Sequence, residues 1–141
     1  MTFSFAVPNK GRMREPSIQL LKDAGLSFEV GDRALSVPVR NVDMELLFVR
    51  TEDIPEMVTD GVADAGITGI DLLAEHGNGL STLVEVGYGH CRLAAAVPNA
   101  SPVQTLEELG GMRVATAHPN ITERYFESRS IQVSVISLRG S

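Results

Sequence analysis

Residues 3–11 read Phe3-Ser4-Phe5-Ala6-Val7-Pro8-Asn9-Lys10-Gly11. A short, nearly all-apolar run predicts a strand buried on both faces. The run ends at Pro8 in a polar bend that holds a lysine and a glycine. Helical spacing follows at once, in Met13, Ser17, Leu20, Leu21 and Ala24, with Gly25 suited to the stop. A strand that runs through a Gly-containing turn into a helix opens α/β domains, where ligands sit beyond the carboxyl ends of the strands.

The same alternation continues outward. Phe28–Val30 and Ala34–Val39 predict two short strands around a Gly31-Asp32 turn, and Met44–Val49 a second strongly apolar strand ending at Arg50. Thr51 or Asp53 suits the cap of the next helix, with Ile54, Met57, Val58 and Val62 as its buried stripe. Ala65–Thr68 reads as a short buried strand, and Gly69 opens a third helix that stops near Gly77. Strands alternating with helices predict an α/β fold with mostly parallel sheets and flanking helices.

The pattern then changes. Leu83–Val86 and Arg92–Val97 are apolar runs with only Gly87-Tyr88-Gly89-His90 and Cys91 between them, and they predict strands crossing between two lobes. Residues 1–92 form the first lobe on this reading and 93–141 the second. In the second lobe Thr105 and Glu108 have capping-box spacing, and Asn120 and Glu123 repeat it. Arg113–Ala117 and Gln132–Leu138 predict strands, and the sequence ends at Arg139-Gly140-Ser141. So few elements would leave a sheet face or edge uncovered. Either a partner chain covers it or the sequence is a fragment, and the fragment is the favoured expectation.

Composition narrows the function classes. The 141 residues are 43% hydrophobic and 21% charged, with formal charge -6, ordinary for a folded soluble protein. The negative balance argues against general affinity for nucleic acid or anionic membrane, and no apolar run approaches a membrane span. The N-terminus has no long apolar segment of the secretory type. One cysteine, Cys91, excludes an internal disulfide framework and fits a cytoplasmic location.

Three strand ends carry polar junctions that precede helices: Pro8-Asn9-Lys10-Gly11, Thr68-Gly69-Ile70-Asp71 and Thr116-Ala117-His118-Pro119-Asn120. Helix N-termini favour anions, and small residues permit close approach. With Arg50 closing a fourth strand, the candidate substrate-binding residues are Lys10, Gly11, Arg50, Thr68, Gly69, Asp71, Thr116, Pro119 and Asn120. On this reading they line one cleft between the lobes. Plainer readings stand beside these. Lys10-Gly11 fits a solvated turn equally well, and Arg50 a surface or salt-bridged residue. Asp64 and Asp71 fit turn and cap residues, and Thr116 fits a group that satisfies nearby backbone. His76, His90 and His118 lack metal-ligand spacing, and no metal-binding residues are assigned. Cys91 reads as a buried small residue, and no covalent nucleophile is assigned. Walker and G-x-G-x-x-G fingerprints are absent. The residues alone therefore point to a two-lobed α/β protein that binds an anionic small molecule.

The order of the junctions is more specific than any one of them. Residues 6–12 (AVPNKGR), 49–55 (VRTEDIP), 60–69 (DGVADAGITG), 86–93 (VGYGHCRL) and 114–120 (VATAHPN) together make the chain resemble the catalytic subunit of ATP phosphoribosyltransferase, the enzyme of the first step of histidine biosynthesis. The resemblance implies a fold like that of type II periplasmic binding proteins. It implies transfer of the 5-phosphoribosyl group of phosphoribosyl diphosphate to N1 of ATP, with Mg²⁺, by alignment and charge stabilisation. It also implies a homo-oligomer, joined in short forms by a regulatory subunit resembling a histidyl-tRNA synthetase. The family's acidic Thr-Gly loop, which cradles the ribose 5-phosphate and diphosphate, has no counterpart here. The chain thus resembles the N-terminal two-thirds of a short-form enzyme, and little or no activity is expected of it alone. A small-anion or nucleotide-binding module of the same fold, without catalysis, is the alternative. A third possibility is a subunit completed by another chain.

Overall fold

The opening run becomes strand β1 (Phe3–Pro8) in the structure, a computed structural model that describes residues 1–77 and 79–138. Arg139 to Ser141 lie outside the described residues. The chain divides into two compact units, Met1–His90 and Cys91–Ser141.

In the first unit, β1 lies between β3 (Met44–Val49) and β4 (Ala65–Gly66) and runs parallel to both. The register sets Val7 opposite Phe48 and Pro8 opposite Val49. Strand β2 (Ser36–Pro38) adds an antiparallel edge, giving the order β2-β3-β1-β4. The architecture is mixed α/β with a mostly parallel sheet. Helix α1 (Arg14–Asp23) buries Ile18 and Leu21 with Val7, Leu46 and Phe48. Helix α2 (Ile54–Thr59) buries Ile54 with Ala6 and Ala63. Ala6 and Val7 fall in different clusters because successive side chains of a strand point to opposite faces. Both are fully buried, which accounts for the unbroken apolar run. Helix α3 (Ile70–His76) follows β4, with Gly69 at its N-cap.

Several expected elements differ. Phe28–Val30 is not a strand. The backbone just before it is held by Asn41, whose Oδ1 accepts from Ser27 N–H at 2.9 Å and whose Nδ2 donates to Gly25 O at 2.7 Å. Phe28 enters the core from a loop. The strand expected at Ala34–Val39 shortens to Ser36–Pro38. On the helices, Ala24 and Val62 are exposed rather than part of the buried stripes. Leu83–Val86 and Arg92–Val97 form no strands, and Leu83 is 90% exposed. A strand exists only where a neighbour takes its N–H and C=O groups, and no described residue does so here. Cys91, expected to be buried, is exposed.

In the second unit, β5 (Arg113–Thr116), α4 (Pro119–Ser128) and β6 (Ser134–Ser137) make one β-α-β unit with a parallel strand pair. Leu109, Phe126 and Ile131 form its small core. The helix expected after Thr105 is a single 3-10 turn, Leu106–Leu109. Asn120 lies inside the first turn of α4 rather than at its cap, because Pro119 already starts the helix with its fixed φ. Among the described residues no helix is long and apolar enough to cross a membrane.

Candidate functional site

Because β1, β3 and β4 are parallel, their carboxyl ends share one edge of the sheet. The loops after them are tied together. Asn9 N–H donates to Val49 O at 2.9 Å, Ile67 N–H donates to Ala6 O at 3.0 Å, and Thr68 Oγ1 donates to Thr51 O at 3.0 Å. Lys10, Arg50, Thr68 and Gly69 thus stand on loops of the same edge. Asp71 is the second residue of α3, within its first turn.

Pro8 is buried, and the chain turns outward after it. Gly11 adopts φ +77°, a left-handed conformation that strains any residue with a Cβ. The bend leaves Lys10 exposed, and among the described residues no ion pair engages its ammonium. Arg12 is exposed in the same loop.

Arg50 is committed differently. Its Nε and Nη2 donate to the two carboxylate oxygens of Asp53 at 3.0 and 3.2 Å, and Glu52 lies 3.9 Å from Nε. The hydrogen bond to Asp53, then the charges of Asp53 and Glu52, hold the guanidinium proton more tightly than usual. Asp53, one of the two residues expected to cap α2, gives that helix no side-chain cap bond. Its carboxylate serves Arg50 instead.

Thr68 ties one loop to the next with its hydroxyl. A Cβ at Gly69 would run into Asp71 Oδ1, so glycine lets that carboxylate fold back over the start of α3. An anion approaching this helix start meets the protein's own negative charge.

Thr116, Pro119 and Asn120 belong to the second unit. Thr116 Oγ1 accepts from His118 N–H at 2.9 Å and from Thr122 Oγ1 at 3.1 Å, closing the turn from β5 into α4. That unit also has an open groove of about 330 Å³ lined by Val97, Val103, Leu106 and Tyr125 among others, and none of the three residues lines it. Among the described residues no three His, Cys, Asp or Glu side chains lie together as metal ligands would.

Two residues of the carboxyl edge were not singled out by the sequence. Asp53 was hidden by its equally good fit to a helix cap. Asn9 was hidden because its distinguishing feature is atomic: Oδ1 is buried without a hydrogen-bond partner among the described residues.

The family model described as ATP phosphoribosyltransferase (HisG) matches residues 50–141. The chain belongs to the ATP phosphoribosyltransferase family. Similar family members include the ATP phosphoribosyltransferases of Methanosarcina barkeri, 45% identical over 138 residues, and Methanocaldococcus jannaschii, 41% identical over 140. These alignments cover 96% and 97% of this chain but 48% and 49% of the relatives. The chain therefore spans about half the length of the curated relatives it matches. Among solved structures, the ATP phosphoribosyl transferase (HisG:HisZ) complex from Thermotoga maritima has a chain that matches with a TM-score of 0.65 at 28% identity. The match covers 99% of this chain and 66% of that one.

Proposed function

We propose that this chain supplies the ATP-side portion of an ATP phosphoribosyltransferase acting in the first step of histidine biosynthesis. Adenine N1 of ATP attacks the anomeric carbon of phosphoribosyl diphosphate. The new N–C bond forms as the C–O bond to diphosphate breaks, and diphosphate carries off the electron pair. The protein's part is to hold two polyanions in line and balance their charge. The carrying observation is the family match together with a lysine that no ion pair engages among the described residues, on the loop edge where parallel sheets bind ligands.

Lys10 meets phosphate oxygens in this reading, and the left-handed Gly11 lets the backbone come close. Arg50 adds a second cation once phosphate competes with Asp53 for it. Thr68 and Gly69 shape the neighbouring loop, and Asp71 sets its negative limit. Thr116, Pro119 and Asn120 contribute the strand-to-helix turn of the second unit. Mg²⁺ enters as the chelate of the substrates' phosphates, the usual mode for this ion in phosphate-binding enzymes. The finer fold type is that of the type II periplasmic binding proteins, and the location is the cytoplasm. The partners in this reading are further copies of the chain and a regulatory subunit resembling a histidyl-tRNA synthetase; the Thermotoga neighbour, a HisG:HisZ complex, supports a second kind of subunit.

A second reading is favoured by the coverage of about half the relatives: nucleotide binding without turnover by this chain alone. Calorimetry with ATP and with phosphoribosyl diphosphate, beside an assay of phosphoribosyl-ATP formation, tests both. ATP binds, Lys10→Ala weakens it by about 2–5-fold as expected for an exposed charge contact, and turnover is slight. Binding indifferent to the adenine ring refutes the transferase reading. Turnover like that of an intact enzyme refutes the second.

A further inference from the structure

The loop after β1 holds a side chain that the proposed reaction leaves unused. Asn9 is partly buried, its N–H is spent on Val49 O at 2.9 Å, and its Oδ1 is shut off from solvent with no hydrogen-bond partner among the described residues. Such orphan acceptors are uncommon in folded proteins, because hydration is lost with nothing gained in return. The preceding residue, Pro8, has no N–H to offer. On the other side the loop is open, since nothing lies within 4 Å of a Cβ built on Gly11. An amide turns about its last torsion between broad, roughly two-fold wells. Turning Oδ1 outward breaks no hydrogen bond made by that oxygen, and it carries Nδ2 into the place Oδ1 leaves.

An acceptor next to an exposed ammonium suits a ligand that carries both an anion and an N–H or O–H donor. A bare phosphate meets only the lysine. We propose that Asn9 is a further binding residue of this loop, whose Oδ1 accepts a hydrogen bond from the nucleoside part of a nucleotide while Lys10 meets its phosphates. The inference rests on the nucleotide reading above and assigns the discrimination within that site. The donor is either the amino group of the base or a ribose hydroxyl, and both present the same chemistry to the amide oxygen.

Calorimetric titration of this chain with ATP, purine riboside triphosphate, 2′-deoxy-ATP and 3′-deoxy-ATP separates the two sources. One analogue binds about tenfold more weakly than ATP, the scale of one lost hydrogen bond in a shielded site. Asn9→Leu binds ATP about tenfold more weakly and no longer distinguishes that analogue. Its melting temperature equals or exceeds the parent value, because an unsatisfied group has been removed. The proposal is overturned if Asn9→Leu binds ATP like the parent, or if all three analogues bind the parent like ATP. Should that variant not fold, the analogue series on the parent chain decides alone. Lack of ATP binding by the parent chain removes the nucleotide reading and this proposal together. Binding that depends on Lys10 but not Asn9 removes this proposal only.

Discussion

A methyl group added at Gly66 probes the point where β1, β4 and α2 converge. A Cβ there would lie 2.7 Å from Ile54 Cγ2, 3.0 Å from Ala6 O and 3.1 Å from Ala6 Cβ. Ala6 is fully buried and Ile54 nearly so, and neither neighbour is the free end of a flexible side chain. Either β4 moves off β1 or α2 moves off the sheet. Overpacking of this kind costs about 1–3 kcal/mol, which for a unit of this size lowers the melting temperature by roughly 5–20 °C. Gly61→Ala is the control. Its φ is +77° and its Cβ meets nothing within 4 Å, so it carries only backbone strain, about 1 kcal/mol. Ile54→Ala removes the clashing methyl at a cavity cost of about 2–5 kcal/mol. The double variant should then be more stable than the sum of the single losses predicts, by about 1 kcal/mol. Thermal and urea unfolding of the four variants measure this. Strict additivity, or a Gly66→Ala loss no larger than that of Gly61→Ala, refutes the reasoning that the three elements share one contact.

Asp53→Asn removes the carboxylate that occupies Arg50, so ATP binding tightens by about 2–5-fold at low salt and the gain shrinks at high salt, read by titration at two ionic strengths. Weaker binding would instead make Asp53 the residue that aims the guanidinium. Arg50 keeps its charge at every ordinary pH, since its pKa is raised further by Asp53 and Glu52. Any pH dependence of binding between pH 6 and 9 must then survive Arg50→Lys, and its disappearance in that variant would contradict this. Tyr88→Phe breaks the 2.7 Å contact with Ser17 Oγ, but Ser17 keeps its 2.6 Å bond to Met13 O. The expected loss is about 0.5–1.5 kcal/mol in chemical denaturation. Gly89→Ala should cost more than Tyr88→Phe, because it combines φ +71° with a clash against Met13 Sδ.

The central strands were legible because burial on both faces leaves an unbroken apolar signature in β1 and β3. The helices after them were legible from spacing and from Gly25 and Gly77. Strand status was not legible where pairing decides it. Leu83–Val86 is as apolar as Met44–Val49, yet only the second has a neighbour on each side. Asn41 reaching Gly25 and Ser27 across 14–16 positions could not be foreseen either. At the carboxyl edge, the Lys10-Gly11 turn and its neighbours follow from strand order. The use of Asp53 and Thr68 as internal partners does not. Each is a short polar side chain that caps, ties or binds equally well on paper, and only the positions of nearby carbonyls and cations choose among these uses.

The unpaired runs before Pro98 also bear on handling the protein. Leu83, Val84, Leu93 and Val97 are exposed on backbone that lies in no sheet. Glu85 and Arg92 are the charges within residues 83–97, and no proline interrupts them. Such a segment offers its open hydrogen-bonding groups to any extended chain it meets, including another copy of itself. Solutions of this chain should therefore lose monomer as concentration rises, with a gain of β-type circular dichroism. Added charge at Val84 should slow that loss more than added charge at the equally exposed but remote Leu35.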